Sequence, residues 1–289
     1  MTIRNPVEWG SDQLNIAALG VKSAVQAIHR PEAAMRAPAP TVRKIALGDL
    51  RDALMAGFLD FAAYRTDVIF LCVIYPVIGL FLARLVIGHG LFQMLFPLAS
   101  GFALIGPFLG IGLYEMSRRR EQGVTVSWAT AFQILRSPSA GAIAMLGLML
   151  MAIFLLWVFA AQAIFGMAFG PHYHPDSILS FAQDVLTTSA GWTLIGVGVG
   201  VGFVFAVSVF TLTIVSFPLL IDRDDVGLDV AVGTSVRAVL ANPGPLAVWG
   251  MIVVAGLVLG SIPLFVGLAF VMPVLGHATW HLYRKLSPH

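Results

Sequence analysis

Leu246–Tyr283 reads LAVWGMIVVAGLVLGSIPLFVGLAFVMPVLGHATWHLY, without a single Lys, Arg, Asp or Glu. About 20 helical residues at 1.5 Å each cross a hydrocarbon core of roughly 30 Å, so this run is too long for one crossing. Ser261-Ile262-Pro263 divides it, because proline cannot continue the hydrogen-bond ladder. The spacing predicts a tight hairpin of two spans, 246–262 and 264–283. Working back toward the N-terminus, apolar stretches of comparable length run over 68–87, 91–116, 140–169 and 192–221, which makes six spans in all.

Composition agrees. Of 289 residues, 58% are hydrophobic and 11% charged, against roughly 45–50% and 25% in an ordinary soluble domain. A mean hydropathy of +0.88 leaves too few polar residues for a water-facing shell, and disorder is excluded on the same ground. The 17 basic and 15 acidic residues nearly balance, which gives no reason to expect a nucleic-acid partner. Cys72 is the single cysteine, so there is no disulfide framework and no cysteine-based metal motif.

Nothing before Val68 has the apolar core and cleavage site of a signal peptide, so the N-terminal segment is expected to stay in the cytoplasm. Six spans then put the connections around Gly88-His89-Gly90, Gly170 to Gly191 and Ser261 outside. Of the 17 Lys and Arg, only Arg84 falls on that side; Arg118, Arg119, Arg120, Arg223, Arg237, Arg284 and Lys285 are among those inside. This is the positive-inside pattern, with both termini cytoplasmic.

Three spans run inward, and near their inner ends the chain reads Pro107-Phe108-Leu109, Pro218-Leu219-Leu220 and Pro273-Val274-Leu275. The register continues: Tyr114 corresponds to Trp280, Glu115 to His281, Arg118 to Arg284 and Arg119 to Lys285. A short stretch with helical apolar spacing precedes each pair of spans: Leu47, Leu50, Leu54, Phe58 and Phe61; Val124, Trp128, Ala131, Phe132 and Leu135; Leu228, Val232, Val236, Val239 and Leu240. The last two stretches end in Ser137-Pro138 and Asn242-Pro243, where proline turns the chain toward the bilayer. The expectation is an all-α polytopic membrane protein: six transmembrane helices, three cytoplasmic amphipathic in-plane helices, and a threefold repeat of in-plane helix plus hairpin. Residues 1–40 form a cytoplasmic segment with one amphipathic helix over 11–29 and a Pro-rich linker, and residues 41–289 form the membrane domain.

Few side chains suggest chemistry. His277 and His281, at i and i+4, share a helical face and are candidate metal or haem ligands, but two ligands do not make a zinc site. An interfacial belt with Trp280 and Tyr283 is the simpler reading. Glu115 lies within reach of Arg118 and Arg119 as an ion pair; turned inward, with Asp222 or Asp225, it becomes part of a polar cluster or gate. Asp222-Arg223-Asp224-Asp225 lacks the glycine and terminal glutamate of a calcium loop. On the outer side His172, His174 and Asp176 are further metal candidates. Gly196, Gly198, Gly200 and Gly202 alternate within a span, where a dinucleotide fingerprint has no strand to follow; Gly198 and Gly202 read instead as a close-packing surface. Pro107, Pro218 and Pro273 are the kinks. No nucleophile with a base, no paired buried carboxylates and no phosphate loop points to an enzyme, and no cofactor is assigned.

Gly276-His277-Ala278-Thr279-Trp280-His281 resembles the ending of a bacterial family of integral membrane proteins known only as domain of unknown function 2189. Val42-Arg43-Lys44-Ile45, Asp49-Leu50, Gly57 to Asp60, Gly106-Pro107-Phe108, Gly112-Leu113-Tyr114-Glu115 and Arg237 to Pro243 are similar too. The resemblance implies a bacterial inner-membrane protein without established activity. Some members are loosely labelled cytochrome c oxidase subunit, yet these spans lack the set of histidines that catalytic haem and copper ligation needs. The expected role is a non-enzymatic accessory or assembly protein of membrane complexes, in contact with the lipid bilayer and other inner-membrane proteins. The alternatives are a small-solute transporter or channel, and metal or haem handling.

Overall fold

The computed structural model describes residues 40–288 except 125, 127–133, 135, 136, 171, 174 and 264. The amphipathic stretch 11–29, the Pro-rich linker and most of the second in-plane stretch, 124–135, therefore lie outside the described residues. Those described are helical, with no strand among them: α1 (Leu47–Cys72), α2 (Ile74–Gly88), α3 (Leu95–Leu109), α4 (Ile111–Glu121), α5 (Ala140–Phe169), α6 (Ile178–Thr187), α7 (Ser189–Thr213), α8 (Ser216–Asp222), α9 (Leu228–Ala241), α10 (Pro243–Ser261) and α11 (Leu268–Leu286). A 3-10 turn at Phe92–Met94 leads into α3.

Among the described residues four helical stretches are long and apolar enough to cross a membrane: Phe92–Glu121, Ala140–Phe169, Ser189–Asp222 and Pro243–Ser261. The first comprises α3 and α4 and the third α7 and α8. The stretches expected at 68–87 and 264–283 are not among them. The former is divided between α1 and α2 around Val73, and the latter is α11, whose closing turns carry His281, Arg284 and Lys285. The expected connection from Gly170 to Gly191 contains a helix of its own, α6, whose Ser177 N-cap and Ser180 form a capping box.

Two of the three prolines sit beside breaks, in different ways. Pro107 lies within α3, three residues ahead of the junction at Gly110. Between α7 and α8 the Ser235 hydroxyl donates to Thr211 O at 2.7 Å and accepts from Val215 N at 3.2 Å. It thus stands between the two groups that a continuous helix would pair, and Pro218 lacks the N–H for the carbonyl of Ile214 one turn back. A side chain of α9 so satisfies a helix interrupted at membrane depth. Pro273 leaves α11 unbroken.

The in-plane stripes are rotated from the expected ones. On α1 the buried face is Leu50, Ala53, Gly57, Asp60 and Phe61, while Leu47 and Phe58 are exposed. On α9 it is Ala231, Thr234, Ser235 and Ala238, with Leu240 exposed. Between Leu50 and Phe61 on α1, and throughout on α9, the buried residues are small or short, which lets helix backbones approach where a Leu or Phe would hold them apart. Gly57 shows this most sharply, because a Cβ there would lie 2.5 Å from Ala278 N on α11. Gly202 packs against Trp157, 3.0 Å from where its Cβ would be, whereas Gly198 has nothing within 4 Å. Only one of the two expected packing glycines is therefore in a contact within this chain.

The largest fully buried side chains include Trp249, Trp280, Tyr283, Phe217, Met116 and Leu219 to Ile221. All but Met116 belong to one cluster, to which α4, α8 and α11, in contact with one another, contribute Tyr114, Phe217 and Trp280; Met116 packs with Phe61 and Leu113 in a smaller one. The opposite halves of the long helices expose Leu148, Phe159, Met167 and Phe203, as suits a hydrocarbon surrounding. Replacing Gly57 by Leu should separate α1 from α11 and cost about 1–3 kcal/mol. A lowered apparent Tm of the detergent-solubilised protein is the expected result, with Gly48→Ala, where nothing lies within 4 Å, as the unchanged control.

Candidate functional site

A buried carboxylate organises the end of the molecule that carries Arg118 to Arg120. Asp60 reaches that position because α1 starts cleanly. The Ala46 N–H donates to Asp49 Oδ2 at 2.9 Å, half of a capping box, and the helix then repeats its small buried face up to residue 60. Asp60 is 4% exposed. Its Oδ2 accepts from Ser117 Oγ of α4 at 2.5 Å and from His281 Nε2 of α11 at 2.8 Å, and its Oδ1 accepts from Arg120 Nη1 at 2.5 Å. One turn back on α11, His277 Nδ1 lies 2.7 Å from the same Ser117 oxygen. Because the serine proton goes to Asp60, that oxygen accepts from Nδ1–H, which sets the His277 tautomer.

The network extends sideways. His281 Nδ1 is 3.7 Å from Glu121 Oε1, and Arg284 Nε is 3.2 Å from Glu121 Oε2. Arg284 also approaches Asp222 Oδ2 of α8 at 3.4 Å, and the Tyr283 hydroxyl donates to the same oxygen at 2.6 Å. The α1, α4, α8 and α11 helices are thereby joined through alternating acids and bases. At its edge Lys285 Nζ lies 3.1 Å from both Asp49 and Asp52. Beside it a cleft of about 430 Å³ is lined by Asp52, Ala53, Ala56, His281, Arg284, Lys285 and Pro288.

Asn242, 2% exposed, holds the segment entering α1. Its Oδ1 accepts from Ile45 N–H at 2.8 Å and its Nδ2 donates to Arg43 O and Ala238 O, both at 3.1 Å. Arg43 N–H donates to Leu286 O at 2.8 Å. Residues 43–45 are thus fastened both to the end of α9 and to the end of α11.

The sequence candidates separate accordingly. His277 and His281 come together, but around Asp60 and Ser117. Asp222 joins α11 through Tyr283 and Arg284. Glu115, 1% exposed, accepts from Arg118 at 2.8 Å and Arg119 at 2.6 Å, the ion-pair arrangement. Asp225 is exposed. On the far side His172 and Asp176 are exposed and His174 lies outside the described residues. The anchor there is Tyr173, which stacks among Phe165 and Phe169 and donates to Asp184 at 2.5 Å. Burial and that hydrogen bond push its hydroxyl up to about 12. Asp60 and Ser117 were not singled out. The available signal was an acid in register with Leu50, Ala53 and Gly57, on a helical face otherwise small or apolar.

Ser117, Asp60 and His277 are the residue types of a hydrolytic triad in the wrong order. The carboxylate touches the serine and is 3.9 Å from His277 Nδ1, and Ser117 is 1% exposed. Among the described residues no group of three or more His, Cys, Asp or Glu is arranged to hold a metal ion. What the arrangement does chemically is neutralise charge inside the helix junction.

Burial pushes the Asp60 carboxyl up, but hydrogen bonds from His281 and Ser117 outweigh it and hold the group below its usual 3.8. A carboxyl with a lowered folded pKa adds stability above its unfolded pKa and loses it as pH falls through the folded value. Apparent Tm should therefore drop between about pH 4 and lower values, and Asp60→Asn should flatten that drop. At neutral pH, Asp60→Ala removes three hydrogen bonds and should cost on the order of 3 kcal/mol. Arg118→Ala leaves Glu115 its Arg119 partner and should cost about 1 kcal/mol or less.

No curated protein and no solved structure matches this chain. Ser117, Arg120, Glu121 and Asp222 fall inside the stretch with a recognised family, whereas Asp60, His277 and His281 lie beyond it on either side. That stretch, residues 95–222 from α3 to α8, matches the family described as Predicted integral membrane protein (DUF2189), the family the sequence itself resembles.

Proposed function

We propose that this protein is a non-enzymatic accessory or assembly factor of the bacterial inner membrane, with six spans and both ends in the cytoplasm. The observation that carries the reading is the closed network around Asp60: charged side chains of four helices are engaged with one another at one end, where they act as a lock. The remaining surface is dominated by large exposed apolar side chains suited to lipid and to apolar faces of other membrane proteins. Contact patterns favour the threefold repeat as well. The segments following the three prolines, α4, α8 and α11, touch each other pairwise, and α1 packs on α11 as α9 packs on α8.

A second reading, a small-solute transporter, is favoured by one observation: two of the four long apolar stretches are interrupted, at Gly110 and at Ile214-Val215, and broken helices are a transporter device. Gentle extraction of tagged protein and mass spectrometry of what accompanies it separates the two. The accessory reading expects a reproducible membrane-complex subunit at near-stoichiometric yield. A lone protein that catalyses solute flux in liposomes would replace it with the transporter. Topology has its own test in a Cys72→Ser background. An impermeant maleimide added to intact cells should label His89→Cys and Ser261→Cys, and should reach Asp224→Cys only after permeabilisation.

A further inference from the structure

One face of α1 is neither buried in the protein nor suited to water. Leu47, Met55, Phe58 and Leu59 are each more than half exposed. At 100° per residue they share one broad face with half-buried Leu54, beside the face that packs on α11. A helix at a protein–water boundary carries polar residues there. The basic residues near this face are Arg43, Lys44 and Arg51, all exposed, and they collect at its N-terminal end. The helix's two N-terminal acids, Asp49 and Asp52, border this face on the side of Leu59: Lys285 meets both, and the side chain of Asp52, seven residues before Leu59, is 66% exposed. The stretch from Leu47 to Tyr64 is about 25 Å long at 1.5 Å per residue. Its backbone kinks at Tyr64 (φ −123°, ψ 27°) before continuing through Arg65-Thr66-Asp67 into the apolar residues 68–72.

We infer that this face of α1 is a binding surface for acidic phospholipid headgroups, with Leu47, Met55, Phe58 and Leu59 seated among acyl chains and Arg43, Lys44 and Arg51 at the phosphates. The charge arrangement selects this occupant. Lys285 offsets one of the two acids and Arg43, Lys44 and Arg51 outnumber the other, which leaves a net cationic end on an apolar face, the pattern of an interfacial helix on an anionic bilayer. The inference is independent of the accessory role, since a transporter would present the same helix to the same lipid.

The test uses the full chain in a Cys72→Ser background, with an environment-sensitive fluorophore on single cysteines at Leu47, Met55, Phe58, Leu59 and, as control, the exposed Asp224. The protein is reconstituted in vesicles of phosphatidylcholine and phosphatidylglycerol with one or the other lipid brominated. Brominated chains should quench positions 55, 58 and 59 well above position 224. At position 47 brominated phosphatidylglycerol should quench more than brominated phosphatidylcholine, by about fivefold, the value for one basic side chain at an acidic surface. The Arg43→Gln/Lys44→Gln/Arg51→Gln variant should bring that ratio to one while position 58 stays quenched, which shows the helix still seated. Quenching no greater than at position 224 overturns the inference. So does shielding from aqueous maleimide without bromolipid quenching, which would mean that protein covers the face. Equal quenching by both lipids in the unsubstituted chain overturns the acidic preference.

Discussion

The carboxylate of Asp60 is the constraint on which the rest of this structure depends. An ionised carboxyl removed from water is costly unless each oxygen is met by a donor. Here the donors come from two other helices: Ser117 and Arg120 of α4 and His281 of α11. Meeting them requires α1 to lie tightly against α11, which only a residue without a Cβ permits at position 57. Polar satisfaction and close packing are thus one requirement, and together they determine the placement of three helices.

The same logic runs through the neighbouring junction. Ser235 of α9 enters the ladder between Thr211 and Val215, and Asn242 at the end of that helix holds the backbone of Arg43 and Ile45. Each of these short polar side chains supplies a hydrogen bond that irregular backbone near a membrane cannot obtain from solvent. They cluster at one end, where the proline-associated segments converge. Away from that end, the helices can face hydrocarbon without paired partners because apolar side chains there have no preference between lipid and protein.

The small buried residues of α1 and α9 explain why sequence reading found these two helices but turned them. Periodicity was scored on Leu, Val and Phe, which in water mark the buried side. In a membrane protein that rule weakens, since bulky apolar residues serve the lipid side and Gly, Ala, Ser and Thr mark the protein side. Phe58 and Leu240 consequently face outward, while Gly57 and Ser235 face in. Asp60 escaped notice for a related reason. A single acid within an amphipathic stretch reads as belonging to the polar face until the burial pattern is known, whereas the arginines beside Glu115 announced their pairing by spacing alone.

By itself the sequence determined that the chain is helical and membrane-embedded, and that Glu115 has cationic partners one turn away. These follow from composition and from local spacing, which are properties of consecutive residues. Tertiary structure alone decided that His277 and His281 meet at Asp60 and Ser117, that Asp222 belongs with Tyr283 and Arg284, and that Asn242 holds residues almost two hundred positions earlier. Those pairings are set by which helices approach closely. That approach depends on the shapes of opposed faces, which a linear pattern of polarity does not encode.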